Sequence, residues 1–332
     1  MDKIRNDKNS KIKVSFIIPA RNEEEYVGEC LDSVLSSQYS NLEINVVNDG
    51  STDSTEKIVK EMMRKDKRIK IYSFDKGHSA AFARNYGANK ATGEILIFLD
   101  SDAKILPDFA KIIVDDFNTF GLDGIAVKTL AASPSGFISS CIKCQRSLLW
   151  DNSNDKRVEY TSKTGALLSV FSKKAYEKLN GFSEDIFYFE DSDISKRFLE
   201  FNFKAIYEPK TIQFHHDPNS INETIRQSKW FGRGIGQLLK THGIKKIRLT
   251  FVPIYAALFT IQVFLILVSW ILNLGSLSTQ LLILIAYLVP LIAYLIKMAL
   301  KSGDFIHSIG FGGLFLIRNN YKFVSMVQKY FS

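Results

Sequence analysis

The fold is decided by Gly-Glu-Ile-Leu-Ile-Phe-Leu-Asp-Ser-Asp, residues 93–102. Five consecutive apolar residues in this stretch, Ile95 to Leu99, are rich in β-favouring types and are too few to span a bilayer. Such a run is typical of a strand that is buried on both faces of a sheet. Because this strand ends in two carboxylates, Asp100 and Asp102, we expect that a ligand at its end requires them.

Asp100 and Asp102 are two residues apart, so in an extended chain their side chains point to the same side. Two carboxylates this close repel each other, and burying them is costly unless a cation or protons neutralise the charge. A divalent metal does so, and oxygen ligands of this kind suit Mn²⁺ or Mg²⁺. The alternative is a solvated turn, since the pattern Asp-x-Asp occurs by chance in many proteins.

The chain before this stretch alternates between predicted strands and predicted helices. Strands are predicted at 13–18, 42–47 and 68–72, and apolar residues at helical spacing lie between them. This alternation predicts an α/β fold of βαβ units, with a mostly parallel sheet flanked by helices. The second strand leads into Asn48–Asp53, a polar loop at the carboxyl end of a strand, where open α/β sheets bind ligands.

Two later segments also carry candidate site residues. Residues 180–193 interleave acidic and aromatic side chains, an unusual composition for a solvated loop, and Asp191 is predicted to begin a helix. A final pair of strands, at 204–207 and 211–214, leads into His215. A histidine at the end of a strand is either a metal ligand or a partner in local hydrogen bonds.

The composition favours acidic partners. The 332 residues carry a formal net charge of +8 and the pI is about 9.1, so phosphates, nucleotides and anionic lipid are expected ligands. Residues 1–12 are polar and basic and are predicted to form a flexible tail. No apolar segment follows them, so no secretory signal is predicted and the catalytic part is expected in the cytoplasm. The three cysteines lack a second ligand pair and are predicted to be structural thiols rather than a zinc site.

The carboxyl-terminal third is strongly apolar, with no charged residue between Arg248 and Lys297. Residues 249–300 are therefore predicted to form two transmembrane helices, at 251–272 and 280–300. Basic residues flank both ends of this hairpin, which predicts that both flanks are cytoplasmic. We therefore expect a multi-pass protein of the cell membrane with its catalytic domain facing the cytoplasm.

The segments on either side of the hairpin are predicted to lie at the membrane surface. Residues 219–248 have the pattern of an amphipathic basic helix, which is typical of an interfacial segment, with a helix at the domain edge as the alternative. Within 301–332, the apolar run 305–317 is too short to cross a bilayer and is predicted to be an interfacial or re-entrant helix.

Seven pieces of the sequence, in order, resemble the GT-A catalytic domain of family 2 glycosyltransferases over residues 13–218. They are Ile-Ile-Pro-Ala-Arg-Asn-Glu-Glu (17–24), Val-Val-Asn-Asp-Gly-Ser-Thr-Asp (46–53), Ala-Arg-Asn-Tyr-Gly (83–87), Phe-Leu-Asp-Ser-Asp (98–102), Gly-Phe-Ser-Glu-Asp (181–185), Glu-Asp-Ser-Asp-Ile (190–194) and His215. The resemblance implies a GT-A fold and transfer of a sugar from a UDP-, GDP- or dTDP-sugar. It also implies inversion at the anomeric carbon and Mn²⁺ or Mg²⁺ as the cofactor.

The resemblance assigns roles to the donor side. By similarity Asp100, Asp102 and His215 hold the metal, and Asp100 also lies against the donor diphosphate. Asp49 matches the carboxylate that hydrogen-bonds the nucleobase, whereas Asn48 stands where the family often has Asp. The remaining donor-side residues are Pro19, Arg21 and Glu23, which match the loop that lines the nucleoside, and Arg84, which matches a residue close to the phosphates. The alternative for the last of these is an ordinary arginine on a helix surface.

Asp191 is the predicted general base. The hydroxyl of a sugar has a pKa far above neutral, so its proton has to leave as the oxygen attacks. A carboxylate at a helix start, among aromatic residues that exclude water, is suited to accept it, and Glu190 is predicted to bind the acceptor. The alternative is an acidic first turn that the helix dipole favours without any catalytic role.

Arg226-Gln-Ser-Lys-Trp230 resembles the Q-x-x-R-W element of processive polysaccharide synthases. It departs from that pattern with Arg226 in place of Gln and Lys229 in place of Arg, so processivity stays open. The two basic residues are predicted to contact the donor diphosphate or lipid phosphates. Trp230 is predicted to bind the acceptor, with simple packing as the alternative.

These features favour a membrane-anchored inverting glycosyltransferase that transfers a sugar to a hydroxyl of a lipid-linked or membrane-proximal glycan. One alternative is a polyprenyl (dolichyl) phosphate sugar synthase, although a phosphate acceptor is already ionised and needs no base. Another is a non-catalytic membrane subunit that retains the fold. Nucleic acid is not an expected partner, because the positive charge clusters beside the predicted spans rather than on a recognition motif.

Overall fold

A computed structural model describes residues 12–132, 136–149, 156–161, 167–186, 188–242, 289, 292–300 and 303–331. The chain divides into two compact units, one drawn from residues 1–132 and 152–216 and the other from 133–151 and 217–332. The division after residue 216 lies close to 218, the predicted end of the catalytic domain. Residues 133–151, predicted within that domain, group with the second unit.

Nine strands among the described residues form one sheet in the first unit. They are β1 (Val14–Ala20), β2 (Leu42–Asp49), β3 (Ile69–Phe74), β4 (Ile95–Phe98), β5 (Ala103–Ile105), β6 (Gly124–Ala131), β7 (Val158–Glu159), β8 (Leu168–Ser172) and β9 (Ala205–His215). The strand order is β3-β2-β1-β4-β8-β6-β9-β5, with β7 paired to β9. The first four strands are parallel, as predicted, and β5, β7 and β8 contribute antiparallel pairs.

Helices alternate with the strands through the first unit and make up most of what is described of the second. They are α1 (Val27–Leu35), α2 (Thr55–Lys65), α3 (Ala80–Lys90), α4 (Phe109–Phe120), α5 (Phe137–Leu149), α6 (Lys173–Lys178), α7 (Glu190–Glu200), α8 (Ile221–His242) and α9 (Phe305–Phe331). α5, α8 and α9 belong to the second unit, together with the helical residues 292–300.

The parallel strands are buried on both faces, which explains their continuous apolar sequences. One face packs against α1 and α4 in a single core that includes Ile18. On the other face Gly87 lets α3 approach β1 closely, since a Cβ there would lie 2.7 Å from Ile17 Cγ2. The first strand was predicted to stop at Pro19 but continues to Ala20. Its pairing with β4 ends at Ile17, so the missing N–H of Pro19 removes no hydrogen bond from the sheet.

The predicted strand pair at 204–207 and 211–214 is one continuous strand, β9. The pairing with β6 jumps from Glu208 to Ile212, so residues 209–211 form an irregularity within the strand that overlaps the predicted break at 208–210. Because the strand is not interrupted, it delivers His215 to the edge of the sheet beside β5.

In the second unit, α8 and α9 pack with their backbones in contact. A Cβ on Gly232 would lie 2.1 Å from the carbonyl oxygen of Lys322, and a Cβ on Gly236 would lie 2.4 Å from that of Met326. α9 extends far beyond the predicted run 305–317. The polar residues after residue 317 do not end it because several of them, including Asn319, are buried.

The predicted transmembrane helix at 251–272 lies outside the described residues, as does just over half of the one predicted at 280–300. Among the helices that the structure does describe, none is both long enough and apolar enough to cross a membrane.

Candidate active site

Asp100 and Asp102 lie on either side of a tight turn. The amide of Ala103 donates a hydrogen bond to the carbonyl oxygen of Asp100 over 3.0 Å, which closes the turn directly after β4. The extended geometry predicted for these two residues was therefore wrong. The turn brings the two carboxylates together instead, and their oxygens form part of a compact cluster.

His215 completes this cluster because β9 pairs with the short strand that follows the turn. Ala103 lies opposite His215 in that pairing. The His215 Nε2 atom lies 3.2 Å from Asp102 Oδ1 and 3.9 Å from Asp100 Oδ2. The three residues predicted as metal ligands are thus brought together, with one candidate ligand atom from each within 4.8 Å of the others.

The ring of His215 is oriented for metal binding by its second nitrogen. Nδ1 lies 2.8 Å from the carbonyl oxygen of His216, and a carbonyl only accepts, so Nδ1 carries the proton. In the neutral ring Nε2 then carries the lone pair, on the side of the two carboxylates. Two carboxylates and one imidazole form a donor set that fits Mn²⁺ or Mg²⁺.

The electrostatics of the cluster favour a bound cation. Burial raises the pKa of Asp102, and the neighbouring Asp100 raises it further. Burial would likewise raise the pKa of Asp100, but the guanidinium of Arg84 outweighs that effect and holds it below its ordinary value. Negative charge concentrated here is costly without a positive ion beside it.

Arg84 joins two parts of the site. Its Nη2 atom donates to Asp100 Oδ1 over 2.8 Å, while Nη1 donates to Glu190 Oε1. The guanidinium is largely buried, and although burial lowers its pKa, the flanking carboxylates reverse that effect and keep it positively charged. Arg84 was predicted to lie close to the donor phosphates. Its described contacts are carboxylates, and its role toward phosphate stays a prediction.

Asp191 lies in the first turn of α7, which begins at Glu190 rather than at Asp191 as predicted. It is partly buried, and its Oδ1 accepts a hydrogen bond from the amide of Ser192 over 2.7 Å. Burial and the adjacent Glu190 carboxylate raise the pKa of Asp191 to about 6. A carboxylate with that pKa is a stronger base than an ordinary aspartate and is still ionised at neutral pH.

Glu190 is buried, with its carboxylate against Arg84. This contact turns the side chain toward the metal cluster. The predicted role of Glu190 in acceptor binding is not addressed by these contacts and stays a prediction.

Asn85 was not singled out in the sequence, although it lies within one of the family-like motifs. Its Oδ1 accepts from the Tyr176 hydroxyl at 2.6 Å and from the amide of Phe182 at 2.9 Å. Its Nδ2 donates to the carbonyl of Phe182 and to Glu184, both at 2.9 Å. One side chain thus fastens α3 to the loop that precedes Asp191.

The predicted nucleobase contact, Asp49, lies at the carboxyl end of β2 and is almost fully buried. Its two oxygens each lie 2.9 Å from the amide nitrogen of His78, and Oδ1 lies 3.0 Å from the His78 ring. Arg21 packs over Gly77, the residue before His78, since a Cβ on Gly77 would lie 2.2 Å from Arg21 Nη1. The loop after β1 and the loop after β3 therefore meet beside Asp49.

Of the other predicted donor residues, Pro19 lies near the end of β1 and Glu23 lies between β1 and α1. Arg226, Lys229 and Trp230 lie on α8, in the second unit. The Lys229 Nζ atom lies 5.2 Å from the centre of the Tyr321 ring, and the side chain of Trp230 is exposed. The predicted roles of these five residues stay predictions.

Residues 15–163 match the sequence model of the family described as Glycosyl transferase family 2. These residues form a family 2 glycosyltransferase domain. The match confirms the enzyme class that the sequence predicts. It includes the turn at Asp100 and Asp102 and ends before Asp191 and His215, which the structure adds to the same unit.

A curated relative and two solved structures are similar to this chain. The poly-beta-1,6-N-acetyl-D-glucosamine synthase of Staphylococcus epidermidis is 26% identical over 238 residues, which cover 68% of this chain and 55% of the synthase. The mannosyltransferase PcManGT from Pyrobaculum calidifontis, in complex with GDP-Man and Mn²⁺, gives a TM-score of 0.55 at 19% identity and covers 94% of this chain and 87% of its own. S. aureus TarS 1-349, in complex with UDP, gives a TM-score of 0.51 at 18% identity. The match covers 74% of this chain and 78% of the TarS chain.

The two structural similarities show the fold, which is α/β and GT-A-like, as the sequence predicts. The chain spans about half the length of the synthase.

Proposed function

We propose that the chain is a metal-dependent inverting glycosyltransferase that moves a sugar from a nucleotide-sugar to an acceptor hydroxyl. The observation that carries this proposal is the Arg84 side chain, which binds Asp100 and Glu190 at once. The candidate metal cluster is thereby linked, within one unit of the chain, to the first turn of α7, where the candidate base Asp191 follows Glu190. That is the arrangement that a single displacement requires, with the leaving group on one side and the attacking hydroxyl on the other.

On the donor side, Asp100, Asp102 and His215 would hold Mn²⁺ or Mg²⁺. When bound, the ion would supply positive charge against the diphosphate of the departing nucleoside diphosphate. Arg84 keeps one oxygen of Asp100 engaged, so the other oxygen faces the cluster. A UDP-, GDP- or dTDP-sugar is the proposed donor, in keeping with the nucleotides held by structures of the same fold.

On the acceptor side, Asp191 takes the proton of the attacking hydroxyl. Its raised pKa strengthens it as a base, and above about pH 6 it is mainly in the form that accepts a proton. Attack on the face opposite the departing nucleoside diphosphate inverts the anomeric carbon. No covalent intermediate with the protein is needed.

The alternative acceptor chemistry, transfer to a polyprenyl phosphate, would give Asp191 no catalytic role. An ionised phosphate attacks without losing a proton, so a base beside it is unnecessary and its negative charge repels the acceptor. Asp191→Asn separates the two: transfer to a hydroxyl should collapse, whereas transfer to a phosphate should largely survive. Complete loss of both, in a folded protein, would contradict the role assigned to Asp191 as a base.

We also propose that the chain acts at a membrane, on a lipid-linked or membrane-proximal glycan. Support comes from the uncharged sequence between Arg248 and Lys297 and from the exposed apolar side chains of Ile292, Ile296 and Leu300. Flotation of the purified full chain with vesicles, with and without anionic lipid, tests this. Failure to float with either would overturn membrane attachment and leave the transfer chemistry unaffected.

The enzyme activity is tested by incubating the full chain with UDP-, GDP- and dTDP-sugars and Mn²⁺ and measuring release of the nucleoside diphosphate. We expect release from one donor class, abolished by chelation and by Asp102→Asn. If no donor is bound or turned over while the protein is folded and metal is present, the chain is a non-catalytic subunit with this fold.

A further inference from the structure

His78 was not predicted as a site residue from the sequence. In the structure it makes several defined contacts with other residues. It follows β3 and precedes α3, at the carboxyl end of the parallel strands where open α/β sheets bind ligands. Its main-chain N–H donates to the buried Asp49 carboxylate, and its ring lies against the same group. The side chain is nevertheless 43% exposed.

The ring is fixed by two aromatic neighbours. It stacks on Phe82 with 4.2 Å between ring centroids and an interplanar angle of 21°, and it meets Phe74 edge-on at 5.3 Å. With one face covered and one nitrogen engaged, the exposed part of the side chain is the opposite face and the far edge. A ring held this rigidly loses little freedom when a ligand docks on it.

Asp49 also determines which ring nitrogen carries the proton. An ionised carboxylate only accepts, so Nδ1, 3.0 Å from Asp49 Oδ1, is the donor. In the neutral ring Nε2 is then an acceptor, on the edge that faces away from Asp49. No hydrogen bond within the described part of the chain uses this nitrogen.

We infer that His78, oriented by Asp49, reads the base of the nucleotide donor through Nε2 and selects bases that present a ring N–H. Uracil and thymine present one at N3 and guanine at N1. Cytosine and adenine present an acceptor at the corresponding position, which would face Nε2 lone pair to lone pair. This inference rests on the proposed function and names the nucleobase class of its donor.

The loops around His78 support a nucleotide rather than a structural role. Gly50 has φ +71°, and a Cβ there would lie 2.5 Å from the amide nitrogen of Gly77, so the two loops touch backbone to backbone. Arg21 lies over that same glycine. A guanidinium over Gly77, the residue before His78, gives this edge of the sheet positive charge, which together with the partly exposed imidazole suits a base and its ribose phosphate.

The test is titration calorimetry of the full chain with UDP, dTDP, GDP, CDP and ADP in the presence of Mn²⁺. It is run at about pH 8, where histidine is mainly neutral. We expect at least one of the first three to bind about tenfold or more tightly than CDP and ADP, the ratio expected for one hydrogen bond against two unpaired acceptors.

Three variants and one control variant test whether His78 causes that base preference. His78→Phe keeps the ring stack on Phe82 and should remove the preference, whereas His78→Gln restores an acceptor and should recover part of it. Asp49→Asn offers an N–H to Nδ1, which allows the other ring tautomer, so affinity for CDP should rise. His307→Phe, the same change in the second unit, should leave the preference intact. Melting temperatures confirm that each variant is folded.

The possible outcomes distinguish failure of the His78 inference from failure of the proposed glycosyltransferase function. A base preference that is equal in wild type and in folded His78→Phe overturns the role of His78 and leaves the glycosyltransferase proposal standing. Equal binding of all five nucleotides by the wild type likewise overturns the role of His78 and leaves the glycosyltransferase proposal standing. Binding of none of them, with Mn²⁺ present, overturns the proposed function and this inference with it.

Discussion

Arg84 Nη2 lies 2.8 Å from Asp100 Oδ1, so the turn that follows β4 is held by a residue of α3. The other arm of the guanidinium donates to Glu190, at the start of α7. One buried cation thus compensates two carboxylates that belong to separate elements. Removing it should leave the buried Glu190 carboxylate without this partner, whereas Asp100, whose side chain is 44% exposed, would be partly solvated.

Arg84→Met should lower the free energy of unfolding by about 3–5 kcal/mol, the usual cost of leaving buried charge unpaired. Arg84→Lys keeps the charge but lacks the fork that reaches both carboxylates, so about 1–3 kcal/mol is expected. Urea denaturation at neutral pH measures both values. If Arg84→Met is as stable as the wild type, the ion pairs are not formed in solution.

The adjacent histidines at 215 and 216 provide a matched pair for the metal site. His215→Phe removes a proposed ligand and should raise the Mn²⁺ concentration needed for half-maximal activity by about tenfold or more. His216→Phe preserves the stack on Tyr26, now 4.3 Å between ring centroids, and the main-chain bond from residue 216 to Asp102. It should change the Mn²⁺ requirement far less. Equal effects of the two substitutions would remove His215 from the metal site.

Asp191→Asn should abolish transfer to a hydroxyl and at the same time stabilise the fold. The pKa of Asp191 is about 6 in the folded protein and close to 3.9 in an unfolded chain. Between these values the folded state binds more protons, so the contribution of Asp191 to stability falls as pH rises and is at its lowest above about pH 6.

The asparagine variant avoids that cost, so it should be more stable than the wild type by roughly 1–2 kcal/mol at neutral pH. The difference should close below about pH 4, where the aspartate is protonated in both states. Denaturation across this pH range measures the effect. A variant less stable than the wild type at neutral pH would show that the ionised carboxylate is well accommodated.

The Glu190 carboxylate contributes to the raised pKa of its neighbour, second only to burial. Glu190→Gln should therefore lower the pKa of Asp191 and move the acidic limb of the pH–rate profile to lower pH. Asp193→Asn is the control on the same turn of α7, because Asp193 bonds Ser183 and Arg197 instead. An acidic limb that stays in place in Glu190→Gln would mean that it reports a group other than Asp191.

The sequence predicted that Asp100, Asp102 and His215 would lie together because each of them lies at the end of a recognisable strand. Asp100 and Asp102 come after a buried apolar run, and His215 ends the last strand of the domain. Their joint placement depends on β5, a strand of three residues that is too short to give a periodic signal. The strand ends were therefore predictable, whereas the pairing that brings His215 to Asp102 was not.

Other parts of the site depend on contacts that no sequence pattern encodes. His78 is one histidine in a polar loop, and its role follows from a carboxylate 29 positions away and from the aromatic residues on either side of it. Arg84 is similar in this respect, since its two carboxylate partners are 16 and 106 positions away. Its match to a phosphate-binding motif gave no indication of those partners. Pairings at such separations are determined by tertiary packing, so local periodicity leaves them undetermined.

Asn85 offers the sharpest test of how the acceptor side is assembled. Asn85→Asp keeps the oxygen that accepts from Tyr176 and Phe182, but it replaces the amide that donates to the Phe182 carbonyl and to Glu184. Two acceptors would then face a carboxylate, and we expect a loss of about 1–3 kcal/mol in the free energy of unfolding. Asn89→Asp, one turn further along α3 and exposed, is the matched control and should cost little.

The defect in Asn85→Asp should also depend on pH in a defined direction. Protonation of the new carboxyl restores a donor, so the stability gap to the wild type should narrow as pH falls below the pKa of that group. The acceptor KM should rise, because the loop that Asn85 fastens leads directly into Glu190 and Asp191. Normal acceptor binding in a clearly destabilised Asn85→Asp would mean that this loop supports the fold and plays no part in positioning the base.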